Sequence, residues 1–153
     1  MSTMKFNATP QAEFFLPMIP PTVTDQQHRI VARPGQRPMI YDSDDLRAAK
    51  DTLRAHLGKQ RAELFSQGYQ TIRNAPVRLK VMWCFPKGNT HMNGEYRITK
   101  PDTDNLQKAL KDVMTKLGYW EDDALVCVEQ VEKLWADVPG IFVRIDRIDY
   151  QEG

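Results

Sequence analysis

The sequence predicts an α/β fold of the α+β type: a single domain with a mixed β-sheet and two main helices packed on it. The length of 153 residues suits one domain with a substantial core. Strand and helix patterns alternate along the chain, which favours a sheet covered by helices. Hydrophobic residues make up 41% and charged residues 27%, as in ordinary globular domains. We expect residues 1–11 to form a flexible N-terminus and residues 12–150 to form the domain.

The N-terminal third predicts a strand, a hairpin and a long helix. Residues 13–19, "EFFLPMI", resemble a short strand at a sheet edge, because Pro17 cannot donate a ladder hydrogen bond. In residues 28–41, two short apolar arms flank a Pro-Gly step, which predicts a hairpin or an ordered loop. Leucines at helical spacing then predict a helix over 44–66, with Ser43 as its N-cap.

The remaining elements follow from period-2 and period-3.6 patterns. Residues 75–85, "APVRLKVMWCF", alternate between apolar and polar side chains and predict a half-buried strand. Two more strands are expected at 125–135 and 140–150. The strand, helix, strand passage over 75–135 is compatible with a crossover connection. Its helix has one apolar stripe, formed by Leu106, Ala109, Leu110, Val113, Met114 and Leu117.

Composition excludes several classes of protein. No apolar run approaches the ~18 residues of a membrane span, and the first residues lack the apolar segment of a signal peptide. A cytoplasmic location is therefore expected. Cys84 and Cys127 are too few and too far apart for a disulfide framework, so we expect reduced, partly buried thiols.

Charge is distributed unevenly along the chain. Residues 73–108 contain seven basic and three acidic side chains, whereas residues 121–153 contain nine acidic and three basic ones. A basic region that leads into an acidic cluster could attract a polyanion and present it to a bound cation. A solvated surface with uneven charge would give the same pattern.

Two pairs of aspartates flank the second predicted helix. Asp102 and Asp104 precede or begin it, and Asp122 and Asp123 follow it. Neighbouring carboxylates repel unless they are separated in solvent or share a cation. Helix capping would explain one aspartate of the first pair, and a polar turn would explain the second pair. The two pairs converge only if the loop over 118–123 doubles back, which the sequence leaves open.

The type of metal can be argued from the ligands. An EF-hand loop that starts at Asp102 would need Gly and Glu where the chain has Gln107 and Val113. Zinc is disfavoured because the three histidines are scattered and no cysteine lies near them in a ligand pattern. Carboxylates alone favour Mg²⁺ or Mn²⁺, which commonly work with phosphate substrates.

Residues 100–126, "KPDTDNLQKALKDVMTKLGYWEDDALV", resemble the core motif of the RusA family of Holliday-junction resolvases. That pattern is a basic residue, then D-x-D-N-L-x-K-A-x-x-D, an aromatic-rich turn and a D-D pair before a strand. The resemblance implies a homodimeric, Mg²⁺-dependent endodeoxyribonuclease, with Mn²⁺ as an alternative metal, that nicks four-way DNA junctions symmetrically. A nuclease for flaps or other branched DNA, and a non-catalytic DNA-binding module, are the alternatives.

The resemblance also implies roles for individual residues. Asp102, Asp104 and Asp123 would be catalytic metal ligands, and Lys108 would be a catalytic lysine that stabilises the transition state or positions the water. A surface ion pair with Asp104 or Asp112 is the other interpretation of Lys108. The roles of Asp112 and Asp122 remain open. Candidate contacts to DNA phosphates are Lys87, Arg97 and Lys100.

Two further expectations concern the turn after the helix and the assembly. We expect Tyr119 and Trp120 to anchor the turn in the core rather than stack on bases. Productive resolution of a junction requires cuts in two strands of like polarity, so a two-fold dimer with two active sites suits the substrate. The sequence does not identify the dimer interface.

Overall fold

Both helices pack on one face of a mixed sheet in the computed structural model, which describes residues 4–22, 28–31, 34–35, 39–42 and 44–152. The predicted α+β domain is therefore confirmed. A short 3-10 turn at Asp123–Leu125 precedes the fifth strand. In chain order the elements are β1 (Met4–Leu16), β2 (His28–Val31), β3 (Met39–Asp42), α1 (Asp44–Ser66), β4 (Val77–Pro86), α2 (Thr103–Lys116), β5 (Val126–Ala136) and β6 (Gly140–Glu152).

The main sheet has the strand order β1-β6-β4-β5. Strands β4 and β5 run parallel, with α2 as the crossover between them, and the other neighbours are antiparallel. Strands β2 and β3 form a separate antiparallel pair, which confirms the predicted hairpin. Ser43, the predicted cap of α1, lies outside the described residues. In the described part of the chain, no helix is both long and apolar enough to cross a membrane.

The expected flexible N-terminus is wrong for residues 4–11. Strand β1 begins at Met4 and pairs with β6 from the first residue, Met4 opposite Glu152. Residues 4–9 are mostly exposed, so they show no alternation, and their partner strand lies at the other end of the chain. The edge position predicted for 13–19 is confirmed, and the strand ends at Leu16, just before Pro17.

The core lies between this sheet and the two helices. Every second side chain of β4 faces it, and Val77, Leu79, Val81 and Trp83 are fully buried. The indole Nε1 of Trp83 donates a hydrogen bond of 2.8 Å to Oε1 of Gln107, which ties β4 to α2. Cys84 is buried and burial raises the pKa of its thiol, whereas Cys127 is exposed, so partial burial is wrong for the second cysteine.

The turn after α2 is anchored in the core, as predicted. Tyr119 and Trp120 are fully buried. The Tyr119 hydroxyl donates to the Leu57 carbonyl at 2.6 Å, which connects the turn to α1. The backbone of the turn also pairs with Ile72: the Ile72 N–H donates to the Tyr119 carbonyl and the Glu121 N–H donates to the Ile72 carbonyl. The direction of the chain after α2 is therefore fixed by several contacts.

Burial of two tyrosines predicts a loss of stability at alkaline pH. Burial raises the pKa of both Tyr69 and Tyr119. The unfolded chain releases these protons near pH 10, so the stabilisation is complete below that pH and declines above it, by up to ~1.4 kcal/mol per pH unit for each tyrosine. Urea unfolding between pH 9 and 11.5 measures this slope. Tyr69→Phe should reduce it, whereas the control Tyr150→Phe, at an exposed position, should not.

Candidate active site

The first aspartate of the acidic run precedes α2. Asp102 occupies the N-cap position, with extended backbone angles, and its carbonyl accepts a hydrogen bond from the Leu106 N–H. Among the described residues, its carboxylate makes no capping hydrogen bond to the helix; instead Oδ2 lies 3.1 Å from Nζ of Lys100. Capping therefore does not account for Asp102, and its carboxylate faces the positive end of the helix dipole.

Asp104 and Lys108 lie one turn apart on the exposed face of α2, opposite the apolar stripe. The structure thus brings together three of the predicted site residues, Asp102, Asp104 and Lys108, at the N-terminal end of this helix. Two accessible carboxylates at this position provide hard oxygen ligands, which fit Mg²⁺ or Mn²⁺. Lys108 places a cation within one turn of them.

The segment that leads into Asp102 is hydrogen-bonded to the outer edge of β5. The Gly94 N–H donates to the Trp135 carbonyl at 2.8 Å, and the Trp135 N–H donates to the Glu95 carbonyl at 2.8 Å. The His91 ring stacks on the Trp135 indole with centroids 4.1 Å apart. The Arg97 N–H donates to the Lys133 carbonyl at 3.0 Å. The segment that leads to the carboxylates is thus held in place by backbone hydrogen bonds to β5.

The three basic residues predicted to contact DNA have different surroundings. The Arg97 guanidinium lies over the rings of Phe85 and Trp135, at 4.3 and 4.6 Å from their centroids, and it donates to the Lys100 carbonyl. Arg97 therefore holds the loop, and its contact with phosphate stays a prediction. Lys87 Nζ lies 3.5 Å from a carboxylate oxygen of Asp137. Lys100 is exposed beside Asp102 and belongs to the cluster itself.

Lys133 is a positioning residue that the sequence did not reveal. Its Nζ donates to the Thr99 carbonyl at 2.6 Å and to the Pro101 carbonyl at 2.8 Å, so it fixes the backbone directly before Asp102. The lysine lies in β5, more than thirty residues away in the sequence, so no local pattern connects it with the site. The contact between Lys133 and the backbone before Asp102 becomes visible only in the structure, where this loop pairs with β5.

Lys133→Met retains an aliphatic side chain of similar length but removes the ammonium group that bonds to the Thr99 and Pro101 carbonyls. We therefore expect the backbone before Asp102 to become less well fixed. Residues that orient metal ligands typically contribute 10–100-fold to metal affinity or activity, so we expect a loss of roughly that size. The readout is the Mg²⁺ concentration that gives half-maximal cleavage, together with the rate at saturating metal. Lys59→Met, at an exposed position of α1, is the matched control. Unchanged metal dependence in Lys133→Met would contradict the positioning role.

The second pair of aspartates lies at the other end of α2. Oδ1 of Asp122 accepts a hydrogen bond of 2.9 Å from the Ala124 N–H and caps the 3-10 turn. This bond, with a smaller contribution from Asp123, lowers the pKa of Asp122. Asp123 begins the 3-10 turn and is exposed. A structural role in the turn therefore accounts for Asp122, and it leaves Asp123 as the candidate ligand of the pair.

A single chain does not bring Asp123 to the other predicted ligands. Helix α2 has 14 residues and therefore spans ~21 Å. The chain turns back along α2 only after Asp123, because the preceding turn is bonded to Ile72 and the returning strand, β5, begins at Val126. Nζ of Lys111, in the middle of α2, lies 2.9 Å from the Glu129 carboxylate near the start of β5. Ligands of one ion lie within ~2–2.6 Å of it, so this separation is too large. Within the described residues, no group of three potential ligands forms a metal site.

An exposed carboxylate pair beside a lysine, reached through a basic segment, fits a metal-assisted nuclease, the class of protein that cleaves phosphodiester bonds. Comparison with known proteins identifies the family. The family model for endodeoxyribonuclease RusA matches residues 19–146, so the chain belongs to that family. The crossover junction endodeoxyribonuclease rusA of Lactococcus phage r1t is 29% identical over 133 residues, which cover 86% of this chain and 89% of that relative. Together they support an endodeoxyribonuclease that resolves Holliday junctions.

Proposed function

We propose that this chain is an Mg²⁺-dependent endodeoxyribonuclease that resolves four-way DNA junctions as a homodimer, by paired symmetric nicks. The main support is the cluster of Asp102, Asp104 and Lys108 at the start of α2, in a chain of the RusA family. The side chain of Asp102 makes no capping bond to the described helix, and the carboxylates of Asp102 and Asp104 are both accessible to solvent.

The proposed metal ligands are Asp102 and Asp104 of one chain together with Asp123, which a second chain of the homodimer would supply because a 14-residue helix separates it from the other two within one chain. A bound Mg²⁺ would neutralise phosphate charge, lower the pKa of a bound water and stabilise the leaving oxygen. The protein holds Asp102 in place through Lys133, which donates to the carbonyl of Pro101. Lys108 lies one turn from Asp104 and provides a positive charge for the non-bridging oxygens as negative charge builds up on them.

Binding of the DNA backbone is assigned to cations around this cluster. Lys100 is exposed next to Asp102, and Lys87 lies at the beginning of the loop that leads there. Arg97 holds that loop through its contacts with Phe85 and Trp135, so its contribution to DNA binding includes the placement of Lys100. Contacts with phosphates position the DNA and carry little sequence information.

Cleavage assays on labelled four-way, flap and linear duplex DNA test the proposed function. With Mg²⁺, the four-way junction should be cut in two opposed strands, with much slower cleavage of the linear duplex, and EDTA should abolish all cutting. Preferential cutting of flaps would favour the alternative nuclease. Junction binding without metal-dependent cutting of any substrate would favour a non-catalytic DNA-binding module. Parallel reactions with Mn²⁺ show whether that ion can replace Mg²⁺.

A further inference from the structure

We propose that the open face of the main sheet, which lies opposite the two helices, carries a second DNA-binding site that holds a backbone phosphate of a junction arm. Four charged side chains form this site, and we call them the open-face cluster: Arg78, Lys80, Arg144 and Asp146. The inference rests on the proposed function, because it takes branched DNA as the substrate, and it adds a DNA contact on a face of the sheet away from α2.

Strand geometry places all four side chains on the open face. The odd-numbered residues of β4 are buried in the core shared with the helices, so Arg78 and Lys80 point to the opposite side of the sheet. Residues that pair directly across two strands share a face. Strand β6 places Asp146 opposite Arg78, and it places Arg144 opposite the lysine. Neither helix covers this surface in the described part of the chain.

Asp146 is a buried carboxylate that holds two arginines. Its side chain is 3% exposed. Oδ2 accepts a hydrogen bond of 2.9 Å from Nε of Arg78, and Oδ1 accepts one of 3.2 Å from Nε of Arg144. A buried charge is costly unless it is paired and hydrogen-bonded, and the two arginines meet that requirement. These bonds do not use the Nη1 donors, so Asp146 orients two guanidinium groups that can still donate to a ligand.

The open-face cluster contains a repulsion that an anion would relieve. Lys80 and Arg144 are like charges directly opposite each other on neighbouring strands, an arrangement that destabilises a sheet. Among the residues that the structure describes, no carboxylate forms an ion pair with Lys80. Three cations and one carboxylate give the cluster a net charge of +2. The charge therefore favours an anionic ligand.

A cavity of about 270 Å³ lies over these side chains. Besides the charged groups it is lined by Val128 and Gln130 of β5, and Gln130 lies opposite Lys80 in the strand register. A water molecule takes up ~30 Å³ of liquid, so the cavity has room for a phosphate group with bound water. Oriented guanidinium groups, an ammonium group and an amide are donors that contact the oxygens of backbone phosphates.

The position of the open-face cluster assigns it to a different arm from the one that is cut. Asp102 and Asp104 belong to α2, on the helical side of the sheet, whereas the cluster lies on the other side. A straight duplex that contacts α2 does not also reach the opposite face of the sheet. A four-way junction has four arms that leave the crossover in different directions, so a second arm can reach it. The site would therefore favour junctions over linear DNA.

Lys80→Gln removes one charge of the open-face cluster and breaks no ion pair among the described residues. Binding to labelled four-way junctions and linear duplexes is measured in EDTA over a range of salt concentrations. Loss of one phosphate contact should lower the slope of log affinity against log salt by ~1, and it should weaken junction binding on the order of five- to tenfold at 0.1 M salt. Affinity for the linear duplex should not change. Lys59→Gln, at an exposed position of α1, is the matched control and should bind both substrates normally.

Cleavage by the same variant separates this inference from the proposed function. At saturating protein and Mg²⁺, Lys80→Gln should cut junctions at the wild-type rate, while the protein concentration that gives half the maximal rate should rise with the dissociation constant. Normal junction affinity, or an equal loss of affinity for junction and duplex, would overturn the second-arm site while the nuclease assignment stands. If the wild-type protein cuts no DNA, the proposed function fails, and the binding data still decide the open-face site.

Asp146→Asn tests the positioning of the arginines. The substitution removes a negative charge, so a surface that attracts DNA by net charge alone would bind junctions more tightly. Positioned arginines predict weaker junction binding and unchanged duplex binding, because the amide holds a guanidinium less firmly than a carboxylate does. The melting temperature is measured first, and binding is compared where the variant is folded. Tighter junction binding would show that Asp146 is not a positioning residue.

Sedimentation of Lys80→Gln without DNA tests the alternative partner, an acidic protein surface on a second copy of the chain. If the open face joined two copies, this variant would shift toward the monomer while each dimer kept its affinity for junctions, and that result would overturn the DNA site. Sedimentation like that of the wild type, together with weaker junction binding, supports it.

Photo-cross-linking locates the DNA on the open face. Gln130→Cys in a Cys127→Ser background provides an exposed thiol at the cavity for a benzophenone label, since Cys84 is buried. Irradiation of its complex with a four-way junction in EDTA should cross-link the protein to an arm other than the one that is cut. Labelled Lys59→Cys in the same background should give little cross-linking. No cross-link from position 130, or cross-links only to the arm that is cut, would overturn the second-arm site.

Discussion

Replacement of Asp104 by asparagine is expected to abolish cleavage while the protein keeps its fold and its affinity for junctions. Asp104 is exposed on α2, opposite the apolar stripe, so its substitution should change the free energy of unfolding by no more than ~0.5 kcal/mol. The loss of a metal-binding carboxylate removes several kcal/mol of transition-state stabilisation, which corresponds to at least ~10³-fold in rate. The change keeps the size of the side chain but removes its charge and replaces one of its two ligand oxygens by an NH2 group.

The test measures the cleavage rate on four-way junctions, junction affinity by gel shift and the melting temperature of the variant. Asp45→Asn is a matched control, because Asp45 is also an exposed aspartate in the first turn of a helix, α1. It should leave all three quantities unchanged. If Asp104→Asn unfolds or melts much earlier than the control, the aspartate has a structural role and the catalytic assignment is wrong.

Much of the fold follows from local sequence patterns. Helix α1 spans Asp44–Ser66, as the leucine spacing predicts, and the alternation around Val77–Pro86 identifies β4. Strand β1 shows the limit of such patterns. Its first residues are mostly exposed and pair with the last residues of β6, so only the tertiary pairing makes them a strand.

The candidate site likewise contains residues that local sequence patterns place and residues that only tertiary contacts place. Asp104 and Lys108 could be placed together because helical periodicity alone determines their relation. The position of Asp123 depends on the direction of the turn after α2, which is set by its contacts with Ile72 and α1. Lys133 was missed because its role arises from a contact between distant segments. Local geometry predicts the first half of the site, and tertiary structure decides the rest.

The structure also separates the two aspartates that the sequence presents as a pair. The side chain of Asp122 bonds to the Ala124 N–H, a role that a polar turn requires. The aspartate at the other end of α2 is different. Asp102 occupies the N-cap position, but its side chain makes no capping hydrogen bond to the described residues of the helix. The carboxylates that the local structure does not require are therefore the ones that we propose as metal ligands.

Trp120→Ala is expected to cause the largest loss of stability among these substitutions. The indole is fully buried, and its Nε1 donates a hydrogen bond of 2.7 Å to Oγ1 of Thr115. Truncation of a buried tryptophan costs ~3–5 kcal/mol, because apolar contacts are lost and a cavity remains. For a domain of this size the melting temperature should fall by about 6–20 °C. Asp123 follows three residues later, so its placement depends on the same anchor.

Calorimetry of Trp120→Ala and of Tyr150→Ala separates an anchoring role from a general loss of aromatic surface. Tyr150 lies on β6 and is 59% exposed, so its truncation should shift the melting temperature only slightly. Below its melting temperature, Trp120→Ala should bind junctions but cut them more slowly, because the turn that carries Asp123 has lost its support. A melting temperature close to that of Tyr150→Ala would show that Trp120 is not the anchor. Normal stability together with lost DNA binding would instead favour stacking of Trp120 on bases.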